Sequence, residues 1–334
     1  MIQPGSFVGF ALLFLAASWA GAALLGAALL AFRRRLRRAG PRTERALAAA
    51  ALVAPPVAAA MLVFSLAGLK LAQATPGDGD HCTTHGHHLH LCLLHGGAWS
   101  ENTAAVVALI LLSGVVVASV IGRLRAYRAT SGLLRNLERH SVAHPDLPPD
   151  ARLVPSETPL CVTAGLRQPR ILISTATWAL LAADERRAVL AHERAHIDHG
   201  DTRWRFALSL LGALGLPGLG PRLLAVWVHA SERLCDWRAS FAVQEPAVVA
   251  QALIRLARAS AAARTPRFAE TLAFASPDPI GDRVEAILGA EPDGAALARR
   301  TALALSVAAT AYAVATVLLA APLHHVFETI IHFS

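Results

Sequence analysis

Charge is scarce in this chain. Only 16% of its 334 residues are Asp, Glu, Lys or Arg, while 54% are hydrophobic; soluble domains average about 25% charged and about 45–50% apolar. With a mean hydropathy of +0.46, an ordinary water-soluble protein is excluded, and a lipid bilayer is the medium that shields such a surface. Basic residues are missing ahead of the first apolar run and follow it instead, which excludes a cleaved signal peptide. The segment Gln73 to Asn102 contains no Lys or Arg at all. No basic recognition motif is present, so the net charge of +8 does not indicate nucleic-acid binding. No internal repeat is visible.

What is present is long apolar runs. Four segments reach the roughly 20 residues that a spanning helix needs: Phe7 to Phe32, Ala46 to about Ala72 (through Pro55-Pro56, a pair expected to bend the helix), Thr103 to Gly122, and Thr301 to Ala321. The arginines fix an orientation. Arg33, Arg34, Arg35, Arg37, Arg38, Arg42 and Arg45 lie between the first two runs, Arg123, Arg125 and Arg128 follow the third, and Arg299 and Arg300 precede the fourth. Positive residues favour the cytoplasmic side. The expected topology has both termini outside, loop 33–45 inside, loop 73–102 outside and segment 123–300 inside. The domains follow: 1–122 is a three-helix membrane region, 123–300 a cytoplasmic domain, and 301–334 a fourth span with a short external tail. Cys82 and Cys92 fall in the oxidising compartment, where a disulfide persists, whereas Cys161 and Cys235 should stay reduced.

Within 123–300, the spacing predicts a helix end at Leu133 to His140, strands at Leu160–Ala164 and Arg170–Ser174, and a helix capped by Asp184 that carries Val189, Leu190, Ala191 and Ile197. An apolar hairpin at 206–228 follows, broken by Gly215, Pro217, Gly218 and Gly220, and either buried in the domain or dipping into the bilayer. Further helices are expected from near Val226, from Gln251 to Ala263 and from Ile280 to Leu288.

The chemistry lies in LAHERAHIDHGD, residues 190–201. Residues four apart share a helix face, so His192 and His196 offer ring nitrogens to one metal ion. Glu193 lies about 100° round the helix, placed as a general base toward water rather than as a ligand. A catalytic zinc wants a third protein ligand and an open position. Glu232 answers that need 36 residues after His196, and Asp236, one turn later, can orient a ligating histidine. His199 and Arg238 are further candidates for stabilising a transition state. A solvated helix end for His199 and an ordinary salt bridge for Arg238 are the plainer readings, and Asp201 reads as a structural cap.

The stretch ILISTATWALLAADERRAVLAHERAHIDHGD resembles the strand, connection and zinc helix of gluzincin-type membrane peptidases. Glu232-Arg-Leu-Cys-Asp236 resembles their Glu-x-x-x-Asp motif, with the Cys-Asp pair similar to BlaR/MecR-type antirepressor peptidases. The resemblance implies a mainly α membrane protein: four transmembrane helices with a gluzincin-like α+β zinc peptidase domain inserted between helices three and four. It implies one Zn2+ held by His192, His196 and Glu232, Glu193 as base, and Asp236 behind the ligands. The antibiotic-sensing members carry a large extracellular penicillin-binding domain after the fourth span; this sequence stops at Ser334, so sensing of that kind is not carried over. The implied activity is an endopeptidase cleaving a cytoplasmic or membrane-near protein, with a DNA-binding repressor as the substrate class; separately, the Arg170–Ser174 strand is expected to serve as an edge for an extended substrate. HtpX-type quality-control peptidases are the alternative within the same chemistry. Self-association is left open.

HCTTHGHHLHLCLLH, residues 81–95, adds a separate feature. His81, His85, His87, His88, His90 and His95 accompany Cys82 and Cys92, a composition suited to external metal or pH sensing and equally to a polar loop pinned by a disulfide. A non-enzymatic metal sensor built on this loop is the second alternative.

Overall fold

The computed structural model describes residues 4–73, 102–262, 280–289 and 303. The His/Cys loop with its expected Cys82–Cys92 pairing, and the fourth apolar run apart from Leu303, lie outside the described residues.

Three long helices carry the apolar sequence: α1 (Pro4–Ala31), α3 (Pro41–Gln73) and α4 (Thr103–Arg139), with a short arginine-rich α2 (Arg33–Arg38) between the first two. Their segments Phe7–Ala31, Pro41–Gly68 and Thr103–Arg139 are each long and apolar enough to cross a membrane. Helix α3 starts earlier than its apolar pattern suggests, because Pro41 suits a first turn whose N–H groups have no helical partner. It passes through Pro55-Pro56 without ending, as membrane helices tolerate. The Asn102 side chain accepts the Ala105 N–H at 3.0 Å to start α4. No α4 residue is buried, so its apolar surface is left for lipid to cover.

Strands β1 (Ala151–Val154), β2 (Cys161–Ala164) and β3 (Arg170–Ser174) form one sheet in the order β1-β3-β2. Strand β1 runs parallel to β3, and β2 antiparallel to it. The sequence pattern anticipates β2 and β3 and misses β1, whose four residues sit between Pro148-Pro149 and Pro155 and look like loop. Strand β3 cannot receive a substrate as an edge, contrary to expectation. It is paired on both sides, with Ile171, Leu172 and Ile173 almost wholly buried; β1 and β2 are the edges instead, and the outer side of β1 is bridged at Leu153 to Val142.

Helices α5 (Thr175–Leu180), α6 (Ala183–His199), α7 (Asp201–Leu214), α8 (Leu219–Val243), α9 (Pro246–Ala262) and α10 (Ile280–Leu288) complete the described fold. Asp184 does not cap α6. The helix starts one residue earlier, and Glu185 reaches back to accept the Ala182 N–H at 2.8 Å, while Asp184 pairs with Arg187 on the surface. Gly200 at φ +64° ends α6 in the left-handed region, where glycine carries no Cβ penalty. Helix α8 does not begin near Val226 but at Leu219, so the apolar LLAVWV and the polar SERLCDWRAS form one continuous rod. Helix α9 likewise starts at Pro246 rather than Gln251, again with proline in the first turn.

Apolar packing places these parts. Ile171, Ile173, Val189 and Leu256 join the sheet to α6 and α9, and Ala188, Ala239, Leu253 and Ile287 lock α6, α8, α9 and α10 together. The apolar stretch 206–228 is the second half of α7, its connection and the first turns of α8. It packs along the membrane helices, with Leu208, Leu223, Val226 and Trp227 against Leu29, Ala48, Ala51 and Leu52. The Trp19 indole donates to the Leu214 carbonyl at 3.2 Å. Helices α7 and α8 meet at glycines: a Cβ on Gly220 would lie 2.2 Å from the Gly212 carbonyl oxygen.

Candidate metal centre

Helix α6 is locked between the sheet and α8, which fixes the face carrying His192 and His196. Their Nε2 atoms converge to 3.2 Å. Helix α8 brings Glu232 opposite them, with one carboxylate oxygen 3.5 Å from His192 Nε2 and the other 3.6 Å from His196 Nε2. A tetrahedral zinc at ~2.0–2.1 Å from each donor sets ligand atoms about 3.3–3.4 Å apart. The three donors therefore fit zinc in both type and spacing.

Both imidazoles are oriented from behind by the same device. His192 Nδ1 lies 2.9 Å from Asp236 Oδ1, and His196 Nδ1 lies 2.7 Å from Asp201 Oδ2. Facing a carboxylate, each Nδ1 carries the proton and donates, which turns Nε2 toward the metal position as the ligating nitrogen. Each aspartate is in turn held by an arginine. Arg283, on α10 and 1% exposed, grips Asp236 through Nε at 2.7 Å and Nη2 at 2.6 Å, with Nη1 3.4 Å from Glu232. Arg45, on α3, donates to Asp201 Oδ1 at 2.5 Å.

This arrangement concentrates negative charge around the imidazoles. Burial by itself lowers the pKa of His192, but hydrogen bonds and charge from Asp236 and Glu232 outweigh it and push the value up to about 10. His196 is raised as well: burial opposes its charge, and Asp201 and Glu232 overcome that. Burial would raise Glu232 and Asp236, yet the neighbouring histidines and Arg283 hold both carboxylates below their ordinary range. The pocket attracts positive charge, and a divalent cation on the two Nε2 atoms would satisfy the same field.

Glu193 is buried on the neighbouring face of α6, where the Thr163 hydroxyl lies 2.7 Å from its Oε2 and 3.0 Å from its backbone carbonyl. Thr163 belongs to β2, so the edge strand and the candidate base are in direct contact. His199 approaches the Cys235 thiol at 3.9 Å, and burial lowers its pKa. Arg238 reaches along the surface to Asp198 at 3.4 Å, the ordinary salt bridge. His196, Asp201 and Cys235 also converge. That group suits a metal poorly: the His196 nitrogen there already donates to Asp201, and burial and the surrounding carboxylates push the Cys235 thiol well up.

The spacing of the motifs thus placed His192, Glu193, His196, Glu232 and Asp236 in one centre. Sequence reasoning missed Arg283, Arg45 and Thr163, and read Asp201 as a cap. The need for a counter-charge to the buried Asp236 was a signal for an arginine, though not for which one.

Comparison with known proteins finds a likeness over the same stretch of chain. The family model "Peptidase family M48" matches residues 161–288, the stretch from β2 to α10 that holds every donor and Arg283. "Plastoglobule-localized metallopeptidase 48, chloroplastic" of Arabidopsis thaliana is 31% identical over 134 residues, 37% of this chain and 38% of that protein. The match thus spans well under half of that relative's length. No solved structure matches the chain. The match does not reach the narrower BlaR/MecR-type assignment. Over residues 161–288 the chain is similar to peptidase family M48.

Proposed function

We propose that the chain is an integral membrane zinc endopeptidase acting on a cytoplasmic or membrane-near protein. The observation that carries this reading is the triangle of His192 Nε2, His196 Nε2 and a Glu232 carboxylate, each histidine backed by an aspartate, with Glu193 alongside. Zinc, when bound, supplies Lewis acidity that polarises a carbonyl and acidifies water. The chain's own residues do the rest. Asp236 and Asp201 keep the imidazoles in the ligating tautomer, and Arg283 keeps Asp236 and Glu232 ionised. Glu193, positioned by Thr163, takes the proton of the attacking water and returns it to the leaving amine.

An extended substrate segment would add to the free edge of β2 by backbone hydrogen bonding, which places its scissile bond beside Glu193. Arg45, at the start of α3, bonds Asp201, and Arg37 of α2 pairs with Asp282, so a cytoplasmic position for that turn would put the catalytic domain on the cytoplasmic face. A DNA-binding repressor as substrate rests on the BlaR/MecR resemblance, and the proteins that accumulate in cells carrying Glu193→Gln would identify the substrate.

The test is proteolysis by the purified, zinc-loaded full chain. Glu193→Gln should lower the rate by about 10²–10⁴-fold with zinc retained. Unchanged proteolysis in that variant would overturn the mechanism.

A further inference from the structure

The arginines between the first two membrane helices do more than face the cytoplasm. Among the described residues, three ion pairs run from this segment into the catalytic domain. Arg37 pairs with Asp282 at 2.7 Å, and Asp282 precedes the Arg283 that clamps Asp236. Glu44, 1% exposed, pairs with Arg233 at 3.1 Å, the residue after Glu232. Arg45 bonds Asp201, the carboxylate behind His196, at 2.5 Å. Only the third touches a group that itself holds a candidate ligand.

Arg45 is fixed on two sides. Its guanidinium lies 4.9 Å from the ring centroid of Trp227, a buried residue of α8, and its side chain is 16% exposed against 8% for Asp201. Cation–π contact gains strength where water is excluded. The two oxygens of Asp201 divide the work: Oδ1 takes the Arg45 donor and Oδ2 the His196 Nδ1–H. Without Arg45, a nearly buried carboxylate would lose its guanidinium partner, and the long Cys235 thiol contact at 3.8 Å would be left to orient it beside the imidazole.

We propose that Arg45, in the first turns of the second membrane helix, is a positioning residue for His196, acting through Asp201, so that this helix sets the metal affinity of the centre. The proposal rests on the reading of His192, His196 and Glu232 as zinc ligands. It adds that the peptidase domain alone does not finish its own site. One histidine is oriented from within residues 161–288, by Asp236 and Arg283; the other depends on a membrane helix outside that stretch. Partners that hold a ligand's far nitrogen typically alter metal affinity by about 10–100-fold when removed.

The experiment measures zinc affinity of the purified full chain by competition with a chromogenic chelator, following melting of each variant so that only folded protein is compared. Arg45→Ala should weaken zinc at least about 10-fold, Arg45→Lys should recover most of that loss, and Arg42→Ala, whose guanidinium only overlies Trp237 at 5.1 Å, should bind as wild type. In an Asp201→Asn background, Arg45→Ala should cost nothing further, because the route to His196 is already cut. Wild-type affinity in Arg45→Ala, or losses that multiply independently of Asp201→Asn, would overturn the proposal while leaving the zinc reading intact. Failure of the wild-type chain to bind zinc would overturn both. If Arg45→Ala does not fold, Arg45→Gln replaces it: affinity about 10-fold below that of Arg45→Lys supports the proposal, and equal affinities overturn it.

Discussion

The two histidines of the centre look equivalent in sequence, one turn apart on the same helix, yet their surroundings have different origins. His192 is backed by Asp236 from the same α8 that supplies Glu232, and Asp236 is gripped by two nitrogens of Arg283. His196 is backed by Asp201 from the start of α7, and Asp201 is held by one nitrogen of Arg45 from α3. Both sides use the order histidine, aspartate, arginine. The first is closed within the M48-matched stretch, while the second is completed by α3, outside that stretch. The same chemical device can thus be made self-contained or made dependent on a neighbouring region.

Breaking the closed side should have the largest effect. Arg283→Ala removes the buried guanidinium held between Asp236 and Glu232, and loss of one partner of a buried ion pair costs about 3–5 kcal/mol. Thermal or denaturant unfolding of the full chain measures this, and a change below about 1 kcal/mol would remove Arg283 from the account. Next comes Asp236→Asn, which keeps the shape but presents no carboxylate to His192; zinc affinity should fall about 10–100-fold, against a smaller loss for Asp201→Asn because Arg45 grips its partner at a single nitrogen. Equal losses would blur the distinction between the two sides. The smallest effect should come from Arg238→Ala. Its pair with Asp198 is 45% and 46% exposed, worth about 0–1 kcal/mol after screening by solvent, and neither zinc affinity nor turnover should move. A large loss of turnover with zinc retained would restore Arg238 as a stabiliser of the transition state.

The sequence disclosed the parts of the site whose partners are close in the chain or required by coordination chemistry. His192, Glu193 and His196 follow from helical spacing, and Glu232 and Asp236 from the need for a third ligand and its support. The parts it concealed are contacts set only by tertiary packing. Arg45 looks like one more topology arginine until α3 is seen lying along α8, and Arg283 is an unremarkable residue of a short amphipathic helix until that helix docks. Helix boundaries went astray at Asp184 and Val226 for a related reason: a polar residue near a helix start need not be its cap, and an apolar run followed by a polar one can be a single rod passing from the long apolar helices to the candidate metal centre. Strand β1, hidden among prolines, took with it the recognition that β3 is central and β2 an edge.

The account turns on a zinc ion held by His192, His196 and Glu232. Zinc content per chain, measured by elemental analysis on purified full-length protein after removal of loosely bound metal, tests it most directly. The expected result is a single ion per wild-type chain, lost in Glu232→Ala with the helical fold retained. A wild-type chain that takes up no zinc, or a Glu232→Ala chain that keeps it as tightly, would contradict the account.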